Sequence, residues 1–149
     1  MDQEPASVLV VAHQTAATST LIETVRARAR SGPSRFNLLV PRGRRGGDRK
    51  ADPQEIGAHE ARDVLRDALP RLSEAAGTEV TGDIGDTETL TAIQNALNHG
   101  HYDEIIISRL PLGASRWLKH DLVSKARAFG LPVHHVLGKD SRLAGAANR

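Results

Sequence analysis

The chain has no cysteine at all among its 149 residues. That excludes disulfides, thiolate catalysis and cysteine-ligated zinc or iron–sulfur sites. Aromatic residues make up only 3% of the sequence, with one tryptophan and one tyrosine, which leaves no material for a stacking surface that would hold single-stranded nucleic acid. Long apolar runs are missing too. The longest, 8–12, 38–40 and 105–107, fall far short of a membrane span. Nor does one sign of charge dominate, since the formal net charge is +2. The opening Met-Asp-Gln-Glu-Pro is acidic where a secretory signal carries positive charge. These absences point to a cytoplasmic protein with no membrane association.

What is present is short bursts of apolar residues alternating with helical patterns, the pattern of a β-α-β-α wind. Val8 to Ala12 forms a continuous, mostly β-branched run, as expected of a strand buried on both faces. Leu21, Ile22, Val25 and Ala29 share one helical face, with Thr18 to Thr20 as cap candidates and Glu23 placed to close a capping box with Thr20. Phe36 to Val40 reads as the second strand. A second helix begins at Asp52-Pro53 and keeps helical spacing through Ala61, Val64, Leu65, Ala68 and Leu72, with Pro70 expected to kink it or end its regular part. Thr78 to Ile84 reads as a third strand, and Asp86 as the cap of a third helix that closes at Asn98-His99-Gly100. Glu104 to Ser108 is the fourth strand. A helix with a break near His120-Asp121 follows, then a fifth strand over Pro132 to Val136. Nothing repeats and no linker divides the chain, so a single domain spans 1–149, with its core over 8–136 and a flexible tail over 137–149.

Chemistry-bearing motifs are sparse. No nucleophile with a base partner is legible, and the expectation is a protein that is not an enzyme. Seven histidines are present, but no His-Glu-x-x-His pattern occurs, and His134 and His135 alternate across a strand, so they cannot chelate one ion together. No metal site is expected. Arg42, Arg44, Arg45, Arg49 and Lys50 crowd a glycine-rich segment that reads as an exposed loop, and nucleic acid is not the expected partner. Arg109, Ser115, Arg116 and Lys119 cluster after the fourth strand, where an arginine fork with hydroxyl and ammonium support suits an anion.

The order of elements, the run Tyr102-Asp103-Glu104-Ile105-Ile106-Ile107-Ser108-Arg109 and the strand Pro132-Val133-His134-His135-Val136 together resemble the universal stress protein family over nearly the whole chain. The resemblance implies a three-layer α/β/α fold on a five-stranded parallel sheet of order 3-2-1-4-5. It also implies a ligand crevice where strands one and four meet and a non-catalytic stress-response or regulatory role. The ligand class would be ATP, AMP or another small anion, and pairing through strand five would give a homodimer. The residues carried to the crevice are His13, Val40, Arg109, Gly113, Ser115 and Arg116. Three positions depart from the family pattern. His13 stands where nucleotide-binding members have aspartate, Leu110 replaces the first glycine of the phosphate run, and His120-Asp121 replaces its final glycine and hydroxyl pair. Glycines let backbone N–H groups approach phosphate oxygens, whereas Asp121 sets a carboxylate over them. The alternative function is a ligand-free interaction module acting as a homodimer.

Overall fold

The structure, a computed structural model, describes residues 5–13, 15–42, 53–109 and 116–137, and within these not the side chains of 53–57 and 116–121. Most of the basic loop, Gly113, Ser115 and the tail from residue 138 therefore lie outside the described residues. Five strands, β1 (Ala6–Val11), β2 (Ser34–Pro41), β3 (Thr81–Gly85), β4 (Glu104–Arg109) and β5 (Val133–Leu137), alternate with helices α1 (Ser19–Ser31), α2 (Pro53–Ala76), α3 (Thr89–His99) and α4 (Arg116–Arg127). All four strand pairs are parallel and the order is β3-β2-β1-β4-β5, as the family resemblance implies.

The sheet is buried on both sides, which is why its central strands are apolar at consecutive positions. Val8 and Val10 of β1, Leu38 and Val40 of β2 and Ile106 of β4 join the core shared with Leu21 and Val25 of α1 and Ala61, Ala68 and Leu72 of α2. The alternate residues Leu9, Val11, Leu39, Ile105 and Ile107 meet Ala92 and Ile93 of α3 and Ala126 of α4 on the other face. α3 packs closely at the carboxyl end of β3 because Gly85 has no Cβ, and one placed there would stand 2.6 Å from the Ala92 Cβ.

Several boundaries differ from the sequence expectation. α1 is capped by Thr18, whose hydroxyl accepts from the Leu21 N–H at 3.4 Å and donates to the Thr15 carbonyl at 2.8 Å. The Thr20–Glu23 capping box does not form, and Glu23 pairs with Arg26 instead. α2 continues through Pro70 to Ala76. Proline removes one helical bond and crowds the preceding turn, a cost offset by burial of Ala68, Leu72 and Ala75 on either side of it. β3 starts three residues later than expected. Gly77 takes a positive φ of 73° to end α2, and the Val80 N–H is held by the Ser73 hydroxyl at 2.9 Å, so the first free pairing position is Thr81. Asp86 does not cap α3. Its carboxylate accepts from the Glu88 N–H at 2.9 Å in a local turn, and Glu88 occupies the cap position with no side-chain bond. α4 is unbroken at His120 and Asp121.

At the amino edge of the sheet two polar ties fix β4 to its neighbours. Arg28 of α1 grips Glu104 with both ends of its fork, Nε to Oε1 at 2.5 Å and Nη2 to Oε2 at 3.3 Å. Asp103 and Ser7 exchange bonds, the Ser7 N–H donating to the Asp103 carboxylate at 2.8 Å and the Asp103 N–H to the Ser7 carbonyl at 2.7 Å. The Ser7 N–H, aided by His101, holds the Asp103 carboxyl below its ordinary 3.8. A depressed carboxyl contributes stability that is complete above the unfolded value and is lost as pH falls through the folded one. Acid titration of the urea midpoint should therefore show a loss that begins near pH 4 and deepens below it. Asp103→Asn should flatten that limb.

Candidate functional site

β1 and β4 lie side by side, with Val10 opposite Ile106 and Val11 opposite Ile107. After them the chain departs to opposite faces of the sheet, to α1 from β1 and to α4 from β4. The divergence opens a crevice beyond the carboxyl ends of the two strands, the place where parallel α/β sheets take ligands. Four of the sequence-predicted residues can be placed relative to it. His13 follows β1, half-buried, with its carbonyl accepting from the Ala16 N–H at 3.2 Å. Arg109 ends β4 and is half-buried. Arg116 opens α4, where its backbone alone is described. Val40 is fully buried among the residues of the α1/α2 core, so any part it plays must be made by its main chain. Gly113 and Ser115 lie outside the described residues.

Two features were not expected from sequence. Thr15, in the turn after β1, and Ser108, next to last in β4, are buried and share a hydroxyl–hydroxyl bond of 2.7 Å. That bond ties the two diverging segments together at the floor of the crevice. Both residues sit in segments the sequence marks, but their pairing depends on the register between β1 and β4, which no local pattern reveals. Arg42, first after β2, is the second. Its N–H donates to the Gly85 carbonyl at 3.1 Å, and its side-chain Nε is buried without a hydrogen-bond partner among the described residues.

The electrostatics at this edge are one-sided. Burial draws the Arg109 pKa down, and among the described residues no opposing carboxylate contributes. A guanidinium does not lose its proton in a protein. Among the described residues Arg109 is thus a cation that has given up part of its hydration without gaining an acidic partner, and an anion arriving in the crevice would restore what it has lost. Among the described residues no group of three or more histidine, aspartate or glutamate side chains could hold a metal ion, and no helix is long and apolar enough to cross a membrane.

The hydroxyl pair offers a direct test of how the crevice floor is held. Ser108→Ala should cost about 1–3 kcal/mol, because it leaves the Thr15 hydroxyl buried without its partner. Thr15→Val should cost a similar amount, and the double variant less than the two losses added, since each single change already breaks the one shared bond. Urea denaturation of the four proteins measures the coupling. Strict additivity would mean that the bond contributes nothing.

A scan against protein-family profiles finds no match to this chain, and a search of curated protein sequences finds none either. Solved structures do match. A universal stress protein crystallised in complex with cAMP superposes with a TM-score of 0.65 at 16% identity, over 92% of this chain and 100% of that one. A protein of the universal stress protein family from Burkholderia pseudomallei superposes with a TM-score of 0.61, also at 16% identity, over 88% of this chain and 95% of that one. At this identity the likeness is one of fold, and the chain has the universal stress protein fold.

Proposed function

We propose that this chain is a non-catalytic regulatory domain of the universal stress protein kind, acting in the cytoplasm, whose crevice between β1 and β4 takes a small anionic ligand of the nucleotide class. The observation that carries the reading is Arg109, a partly desolvated cation at the mouth of the crevice with no acidic group opposing it among the described residues. Arg42, one strand away from β1 and with a buried Nε unpartnered among the described residues, supports it. A mononucleotide such as AMP or cAMP is favoured over magnesium ATP. His120 and Asp121 stand where a polyphosphate would need glycine and a hydroxyl, and a relative in fold is known in complex with cAMP.

The test is thermal unfolding with AMP, cAMP and magnesium ATP in parallel. A ligand present at a hundred times its dissociation constant stabilises the native state by about 2.7 kcal/mol. The expected result is a shift with a mononucleotide, little or none with magnesium ATP, and an affinity about tenfold or more weaker in Arg109→Ala, as loss of a charge-assisted bond implies. No shift with any of the three, together with no small molecule released on denaturing the natively purified protein, would overturn the reading.

A second reading is a ligand-free interaction module acting as a homodimer. It is favoured by the open edge of β5, where Leu137 is 47% exposed, the one large apolar side chain so exposed among the described residues.

A further inference from the structure

At the opposite edge of the sheet from the crevice, over the amino-terminal halves of β1, β2 and β3, a cleft of about 290 Å³ opens on the face that α3 and α4 otherwise cover. Its polar lining is Ser7, Arg35, Asn37, Thr81, Asp83, His101 and Tyr102, with Phe36 and Gly100 completing the wall. The register explains how these residues meet. Ser7 pairs with Arg35, Asn37 with Thr81 and Leu39 with Asp83, so strand alternation sends all of them to one face, and the turn after α3 brings Tyr102 over them.

The centre of the cleft is Asn37. Its Nδ2 donates to the Asp83 Oδ2 and to the Tyr102 hydroxyl, each at 3.1 Å, and its Oδ1 accepts from the Thr81 hydroxyl at 2.8 Å. The reverse setting of the amide would turn its oxygen onto a carboxylate, so the orientation is fixed by its neighbours. Two polar groups, Tyr102 and Asp83, are thereby held in place, and they and Arg35 keep bonding capacity uncommitted among the described residues. The Tyr102 hydroxyl accepts from Asn37 and keeps its own hydrogen to donate. Burial, opposed by the Asn37 bond and reinforced by Asp83, pushes the Tyr102 phenol up, so that hydrogen stays in place at neutral pH. Asp83 keeps Oδ1 to accept. Arg35, exposed at the rim, keeps its guanidinium fork.

We infer that this cleft is a second ligand site, distinct from the nucleotide crevice, and that it takes a free amino acid as the zwitterion. A ligand here must offer an acceptor to Tyr102 and Arg35 and a donor to Asp83 at the same time. The Tyr102 and Asp83 oxygens both bond one nitrogen, so they stand no further apart than twice that bond length, close enough for the carboxylate and ammonium on a single α-carbon to reach both. An anion alone would leave Asp83 repelled and a cation alone would leave Arg35 without a counter-charge. The volume lies at the bottom of the range of ligand pockets, which suits a molecule of amino-acid size.

The inference does not rest on the nucleotide reading and can be tested without it. The probes are the free L-amino acids, with matching amine-only and carboxylate-only fragments, titrated into the full chain while NMR follows the Asn37 side-chain amide and the backbone around Tyr102. At least one amino acid should shift these signals saturably, and neither fragment should match it. Asp83→Asn keeps an acceptor for Asn37 and removes only the charge. Arg35→Gln alters an exposed side chain. Each should weaken binding about tenfold or more while leaving the melting curve in place. The inference is overturned if no amino acid moves the cleft signals, if a fragment binds as tightly as the amino acid, or if affinity is indifferent to both variants.

Discussion

Replacing Ile106 with alanine should remove about 2–5 kcal/mol of stability, the cost of deleting a branched core side chain and leaving a cavity that packing only partly refills. Ile106 is 1% exposed. It lies in β4, opposite Val10 on one side and His134 on the other, within the core that α1 and α2 close. No neighbour can readily move into the space, because strands on both sides pin the backbone. A domain of this size has only about 5–15 kcal/mol in total, so the variant should sit close to its unfolding threshold at body temperature. Urea titration should show a lower midpoint with an unchanged slope. Leu137→Ala, on the exposed end of β5, is the control and should change the monomer's stability by no more than about 0.5 kcal/mol. If the Ile106 variant lost less than about 1 kcal/mol, β4 would not be the central, doubly covered strand described above.

How much of this fold could be read from sequence depends on how local each determinant is. β1 and β4 are legible because burial on both faces demands consecutive apolar residues, and Val8 to Val11 and Ile105 to Ile107 supply them. The strand order came through the family resemblance, since periodicity alone does not say which strands are neighbours. Apart from α2 running on through Pro70 and α4 through His120 and Asp121, the differences lie at element ends, where two local solutions compete. Thr18 and Thr20 are both acceptable caps, and the choice went to Thr18, whose hydroxyl also reaches the Thr15 carbonyl. Asp86 is a good cap in isolation but was taken by a bond to Glu88. β3 was drawn too early because nothing in Thr78 to Val80 announces that Ser73 will hold the Val80 N–H.

The crevice was legible only as a place. Sequence marks Arg109 as a basic residue at the end of a strand, but its half-burial, on which the proposed anion site rests, is visible only in three dimensions. Val40 was chosen by its position at the end of a strand, and the structure spends its side chain on the core. The Thr15–Ser108 bond spans residues far apart in the chain, as does the polar cleft around Asn37. Long-range hydrogen bonds between small polar side chains have no periodic signature.

The chain is expected to form a homodimer through β5, and the register now says which residue controls it. The Ile105 N–H donates to the Pro132 carbonyl at 2.9 Å, with Ile105 opposite Val133 and Ile107 opposite His135. In a parallel ladder each bonding residue engages the two neighbours of its opposite number. His134 and Val136 are then the residues of β5 that bond to β4, while Val133, His135 and Leu137 turn their N–H and C=O groups away from β4. Two copies meeting antiparallel about a two-fold axis, the commonest closed symmetry, would set His135 across from its own copy and Leu137 across from the partner's Val133, burying the apolar surface that the monomer leaves at 47% exposure. From sequence, Val136→Pro is the obvious way to break such a dimer, but it would remove a bond of the monomer's own sheet. His135→Pro is the better variant, because it removes a donor that faces away from β4 and leaves the bonds to β4 in place. Sedimentation equilibrium should give twice the 16.0 kDa chain mass for the wild type and the chain mass for His135→Pro, with the far-ultraviolet circular dichroism of the two alike. Val136→Pro should instead lose structure as well as partner. A wild-type protein that stays at the chain mass across a wide concentration range would leave the β5 edge to some other cover.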